Sequence, residues 1–257
     1  MGKEVLQIHA HKINTEFIEA NIGKKWIIGN SVNMPEKAKI MFCKLKLDYH
    51  IIEFDYKFCK HRSFEKHKFI EKKECDCHND RLSKLSIAFL LYSKTRWFMS
   101  ENQKDIHIEK IPSLRKLKNY VLSSVFSTGD LKFIKNISHN KKDDSYFILD
   151  SGNWIKGRNK CIEYAKKNKL KYELVGRLSY PELLINMSTK KGIIYMPQDN
   201  DTCPRLVIES YLLGCEQHLN EYVQHVSEPW AKKSPEEYYK YLKRRPKSFW
   251  KKVLSES

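Results

Sequence analysis

The chain has 257 residues, 41% hydrophobic and 12% aromatic, enough to bury one large core or two of roughly 100 to 150 residues, which excludes disorder as its main state. Its 48 basic and 31 acidic residues leave a net charge of +17, which favours an anionic partner; yet only nine of the cations are arginine, and lysines spread this evenly also fit a compositional bias toward A/T-rich codons. No run reaches the roughly 18 to 20 apolar residues of a membrane span, the N-terminus MGKEVLQIHAHK lacks the layout of a secretory signal, and the odd set Cys43, Cys59, Cys75, Cys77, Cys161, Cys203 and Cys215 does not form a secreted disulfide framework, so reduced thiols in a cytoplasm are expected.

In the first third, EVLQIHA, KKWIIGN and DYHIIEFDY read as short strands of an α/β domain. KLSIAFLLYS is apolar and fits helix or strand. A strand at Trp97–Met99 then runs into Ser100, a candidate N-cap for a helix that Pro112 ends. NYVLSSVFS is β-rich, and the polar stretch from 127 to 144 reads as a boundary, giving domains of 1–135 and 136–257.

The second half alternates: strand SYFILDS, a helix over about 156–169, strand KYELVG, helix PELLINMSTK, strand GIIYMP, helix PRLVIESYLLG and strand CEQHLN. Strands separated by helices of this length predict parallel βαβ units with ligand sites at the strand carboxyl ends. A terminal amphipathic helix follows, in which Tyr238, Tyr241 and Leu242 share a face and Pro246 interrupts or kinks the chain.

MPQDNDTCPRLVIESYLLGC carries the most chemistry. A buried strand ends at Met196 and Pro197, and a helix follows with Pro204 in its first turn, Asp201 and Thr202 being candidate caps. Such a helix start binds phosphate or sugar hydroxyls, because its unpaired amides and dipole face the ligand. Arg205 sits where that dipole disfavours a cation; an anionic ligand, or pairing with Asp199 or Asp201, relieves the conflict. Glu209 lies one turn on, among Leu206, Val207, Ile208, Leu212 and Leu213. Pairing with Arg205 and accepting ligand hydroxyls are both open to it.

This segment resembles the C-terminal donor-binding domain of retaining GT-B glycosyltransferases of the group 1 type, whose two acids are separated by seven residues, as Asp201 and Glu209 are. SYFILDSGNWIKG resembles that domain's first strand and lysine-glycine pair. The resemblance implies two Rossmann-like domains facing across a cleft, a nucleotide-sugar donor (a UDP- or GDP-sugar, such as UDP-glucose) and metal-independent, retaining transfer. It implies Lys156 and Arg205 on the diphosphate, Asp201 beside the donor sugar, Glu209 on the ribose, and Thr202, Cys203, Gly157 and the base loop around Arg177 to Glu182 as further donor contacts. Ser151 replaces the family's arginine and Asp201 its usual glutamate, so Arg205 or Arg158 takes the missing phosphate contact. RWFMSEN and NYVLSSVFS resemble the end of the acceptor domain.

The acceptor divides between a hydroxymethylated base in DNA, which +17 favours, and a surface glycan. A GT-B-like polyanion-binding protein without turnover is the alternative from another class. Cys59, His61, His67, Cys75, Cys77 and His78 crowd one stretch, but C-x-C-H is not a usual zinc knuckle, so a polar loop with half-buried thiols and no metal is expected. His9 and His11 are read as solvated, or as facing an acceptor. G-x-G-x-x-G and P-loop motifs are absent from the sequence, which removes dinucleotide-dependent dehydrogenases and P-loop kinases.

Overall fold

A computed structural model describes residues 5–256 and divides them into two compact units. The first comprises the described residues up to Met99, Gln103–Val121 and the end of the chain from Ser255; the second comprises Ser100–Asn102 and Leu122–Leu254. Residues 122–135 thus lie with the second unit.

In the first unit the predicted strand EVLQIHA does not form within the described residues. Glu4 lies outside them, and Val5 to His9 run irregularly into a 3-10 turn at Ala10–Lys12. Val5 and Leu6 are exposed, so their apolar alternation has no sheet to pack against. His9 and His11 stack on each other at 5.6 Å and are exposed, which fits solvated rings.

The elements that do form are α1 (Thr15–Glu19), β1 (Trp26–Ile28), α2 (Glu36–Lys44), β2 (Tyr49–Glu53), α3 (Phe64–Glu71), α4 (Arg81–Tyr92), β3 (Thr95–Phe98), α5 (Glu101–Lys110) and β4 (Asn119–Val121). KLSIAFLLYS resolves as helix α4, because Asp80 caps it through the Ser83 amide (3.4 Å) and its apolar face packs at helical spacing, burying Phe89 and Leu90. The strands pair in parallel in the order β1-β2-β3-β4, so every connection advances the sheet in one direction. Phe42, Tyr49 and Phe89 form the centre of its core, Tyr49 stacking on Phe89 at 4.9 Å. Arg96 of β3 is buried and donates through Nε to Leu90 O (2.9 Å) and through Nη2 to Leu91 O (2.9 Å). It thereby satisfies carbonyls that the end of α4 would leave unpaired.

The second unit contains α6 (Thr128–Ile137), β5 (Tyr146–Leu149), α7 (Arg158–Lys167), β6 (Tyr172–Val175), α8 (Tyr180–Ser188), β7 (Gly192–Tyr195), α9 (Arg205–Leu212), β8 (Glu216–Leu219) and α10 (Pro235–Ser255). Residues 128–137, within the stretch read as a boundary, are helical: Ser127 and Asp130 make a reciprocal capping box, and Leu131 and Ile134 are buried. Pro246 lies inside α10 without ending it, since the buried Tyr238, Leu242, Phe249 and Val253 hold the helix down on both sides of the proline. No helix among the described residues is long and apolar enough to cross a membrane.

The second sheet is also parallel, but its order is β6-β5-β7-β8. The chain leaves β5 to one side to make β6 and returns on the other side to make β7. That reversal opens a crevice between the loops that follow β5 and β7, the place where open α/β sheets bind ligands.

Candidate active site

Lys156 follows β5 in a 3-10 turn, Trp154–Lys156, and Asp201 lies in the loop after β7. The reversal brings them together: Lys156 Nζ is 2.7 Å from Asp201 Oδ2, with the two side chains 29% and 13% exposed. Tyr195, at the end of β7, donates its hydroxyl to the same carboxylate oxygen. The two loops are also tied backbone to backbone. Gln198 N donates to Ile155 O (2.9 Å) and Gln198 Nε2 to Trp154 O (2.9 Å).

Gly157 explains the close approach. Its φ is +66°, and a Cβ placed there would meet Met196 O at 1.8 Å and Pro197 Cα at 3.2 Å. Only glycine allows both the left-handed conformation and the contact. Arg158, the first residue of α7, pairs through Nε with Asp150 Oδ1 at 2.8 Å.

The loop from Pro197 to Pro204 is held along its length. Asp201 N donates to Tyr222 O (2.9 Å), Gln224 N to Asp201 O (3.1 Å), Asn220 Nδ2 to Pro197 O (2.8 Å) and Ser124 Oγ to Cys203 O (2.8 Å). Thr202 and Cys203 are both buried, and burial pushes the Cys203 thiol up to about 12, which removes it as a nucleophile.

The start of α9 corrects two expectations. Pro204 is the N-cap itself and offers no side-chain cap, and Asp201 is engaged by Lys156 and Tyr195. Arg205 pairs not with Asp201 but with Glu209, Nε to Oε1 at 3.1 Å, and more loosely with Asp130 at 3.6 Å. Its guanidinium lies 4.4 Å from the centroid of Phe126 and 4.9 Å from that of Tyr180, and is still 42% exposed. The Tyr180 hydroxyl donates to Glu209 Oε1 at 2.8 Å and accepts from Arg205 Nη2 at 2.5 Å. Both bonds to Glu209 fall on Oε1. Burial raises the Glu209 carboxyl above the usual range, against the hydrogen bond from Tyr180 and the charge of Arg205.

The second unit therefore presents two cation–carboxylate pairs, Lys156–Asp201 with its carboxylate in the loop before α9 and Arg205–Glu209 on the first turns of that helix. The amides of Arg205 and Leu206, the first two of α9, lack intrahelical acceptors there. Arg177 stands apart, exposed in the loop after β6 with φ +58°. Ser151 is a local turn residue whose Oγ accepts from Asn153 N at 3.2 Å. Tyr195, Tyr180 and Asp130 belong to the site without having been singled out in the sequence. Tyr195 hides in an apolar strand, and Asp130 reads as a capping residue. Tyr180 had a usable signal, an aromatic directly before the proline that opens a helix.

No protein-family model and no curated protein matches the chain. Among solved structures, it superposes on a trehalose-6-phosphate synthase studied for enzymatic glycosyltransfer with retention, with a TM-score of 0.55 and 10% identity over 94% of this chain and 72% of that one. It superposes on a UDP-forming α,α-trehalose-phosphate synthase from Burkholderia xenovorans with a TM-score of 0.51 and 9% identity, over 86% of this chain and 65% of that one. The chain thus spans just under two thirds of the Burkholderia enzyme. At such identities the likeness is one of fold: two parallel α/β units in succession, the GT-B fold.

Proposed function

We propose that the second unit binds a nucleotide-activated sugar and that the chain transfers this sugar to an acceptor hydroxyl. The observation that carries the reading is the meeting of Lys156 and Asp201 across the strand reversal, Asp201 lying in the loop that leads into α9.

In this reading Lys156 and Arg205, each half-open to solvent and each held by a carboxylate, exchange part of that pairing for the donor diphosphate. The cations are the accessible members of these pairs, and Tyr195 and Tyr180 keep their hydrogen bonds to Asp201 and Glu209 when the cations turn to the donor. The amides of α9 add to the same anion site, and together these groups stabilise the negative charge of the leaving diphosphate. Glu209 accepts ribose hydroxyls through Oε2 while Tyr180 and Arg205 hold Oε1; Asp201 stands beside the sugar; Arg177 marks the base loop. Gly157, Thr202 and Cys203 offer backbone to the donor. The Burkholderia fold neighbour is UDP-forming, which supports a UDP-sugar over a GDP-sugar. Transfer is proposed to be retaining and to need no metal, the two cations taking the metal's electrostatic role.

A panel of nucleotide sugars in thermal-shift and hydrolysis assays tests the reading, because a specific donor stabilises the native state by mass action. One donor is expected to raise Tm, and Glu209→Ala to weaken its binding about 5- to 150-fold, or roughly 1 to 3 kcal/mol. Unchanged affinity in the variant would remove Glu209 from the site. Full loss of transfer in EDTA, rescued by magnesium or manganese, would overturn the metal-free reading.

For the acceptor, the net charge of +17 supports a polyanion, and we assign a hydroxymethylated base in DNA ahead of a surface glycan. Sugar found by mass spectrometry on modified but not on unmodified DNA is the expected result. Transfer to a saccharide alone would install the glycan reading, and donor binding without any transfer would leave a polyanion-binding protein.

A further inference from the structure

The connection from β2 to α4, residues 54–80, packs onto the core through Tyr56 and Phe58, while Phe69 and Ile70 of α3 are exposed. Four of its side chains converge. Cys59 sits in a turn closed by Arg62 N to Cys59 O (2.8 Å); His67 is on the inner face of α3; Cys75 and Cys77 follow once the chain has reversed after that helix. Cys59, His67 and Cys77 are buried and Cys75 is half-buried. One ligand atom from each lies within 4.8 Å of all the others, His67 Nδ1 being 3.7 Å from Cys59 Sγ and 3.4 Å from Cys77 Sγ.

We propose that Cys59, His67, Cys75 and Cys77 form a structural zinc site. With Zn–S near 2.3 Å and Zn–N near 2.0 to 2.1 Å, the edges of a tetrahedral site are about 3.5 to 3.8 Å, and the two sulfur–nitrogen separations already match. Three thiolates and an imidazole are a soft donor set, which takes zinc in preference to magnesium or calcium. The cysteines carry no disulfide, so all three sulfurs are free to ligate. His67 Nε2 has no hydrogen-bond partner among the described residues, so the polar contacts of this buried ring are on its Nδ1 side, facing the sulfurs. His61, read in the sequence beside these residues, is not a ligand here: its Nε2 is 2.8 Å from Glu71 Oε1, and its ring packs edge-on to His67 at 5.4 Å. The ion would tie the turn at Cys59 to the segment that leads into α4. Its binding free energy would add to the stability of this connection.

The full chain, purified under reducing conditions, stripped of metal and titrated with zinc or cobalt(II), tests this. Uptake of one ion per chain is expected, with the visible bands of tetrahedral cobalt, thiolate charge transfer, and a higher Tm with zinc bound. Cys77→Ser and His67→Ala should lose uptake, and Cys43→Ser, outside the cluster, should keep it. Should the buried variants fail to fold, Cys75→Ser at the half-buried position serves in their place. Failure of the reduced wild-type chain to take up metal, an octahedral cobalt spectrum, or wild-type uptake by Cys75→Ser would overturn the site.

Discussion

Both sheets carry charged groups at the carboxyl ends of their strands, but the two units treat them differently. In the first, Glu53 ends β2 and contacts Lys57, the side chains being 4% and 9% exposed, and strand order runs on without reversal. In the second, Lys156–Asp201 and Arg205–Glu209 flank a reversal, and each cation remains accessible. A pair sealed in the interior cannot trade partners without leaving a buried charge, whereas one at the mouth of a crevice can. The difference fits the first pair to architecture and, in the proposed reading, the second two to binding the donor.

Breaking the sealed pair should have the largest effect. Burial raises Glu53 to about 7 against the pull of Lys57, so Lys57→Met strips a buried carboxyl of its partner and should cost about 3 to 5 kcal/mol in denaturant unfolding, with donor affinity in the surviving native state unchanged. Lys156→Ala should invert that result, lowering transfer roughly tenfold to a thousandfold while stability moves little; Arg205→Ala should lower transfer as much but also destabilise the fold, because it leaves the buried Glu209 carboxyl to Tyr180 alone. If both variants turned over normally, the contrast between the units would collapse.

The buried histidines sharpen it. Burial depresses His107 of the first unit to about 3 and His225 of the second to about 4, but His107 donates from Nδ1 to Gln103 O at 2.8 Å, while neither ring nitrogen of His225 has a partner among the described residues. Both rings fold neutral and take up protons more readily when unfolded. Their contribution is therefore complete above an unfolded pKa of about 6.5 and is lost as pH falls toward the folded values, about 3 kcal/mol for His225. His225→Phe, which retains a ring to stack on Trp230, should flatten that acid limb at no cost at neutral pH; His107→Phe should flatten it too but forfeit about 1 kcal/mol with its hydrogen bond. Urea unfolding across pH 4 to 7 separates the two. The smallest effect is expected of Tyr180→Phe, which removes one hydrogen bond from Glu209 Oε1 and should weaken donor binding by about 1 kcal/mol in calorimetry.

Much of the second unit was legible in the sequence because each level agrees there: β5, β6, β7 and β8 are short apolar or alternating runs, and Ser179 with Glu182 caps α8 as the pattern S-Y-P-E suggests. Spacing singled out Asp201, Arg205 and Glu209, but not the partner of Asp201. Spacing along one helix finds Arg205–Glu209, but Lys156–Asp201 is made by strand order, which a one-dimensional pattern does not encode. The first unit was harder for the same reason. The alternation of Val5 and Leu6 promised a strand that finds no neighbour, and the four residues of the proposed zinc site are gathered by the reversal after α3, not by a recognisable ligand spacing.

The contact between Gly157 and Met196 O sets the separation of the two site loops by main chain alone, with no side chain interposed. With no deformable spacer between the loops, a change of size in the core beneath, at Ile148, Ile194 or Ala165, passes through the close-packed sheet and helix directly to Lys156 and Asp201. The site is rigidly coupled to its own foundations, so enlarging or shrinking those core side chains should disturb the Lys156–Asp201 pair as well as stability.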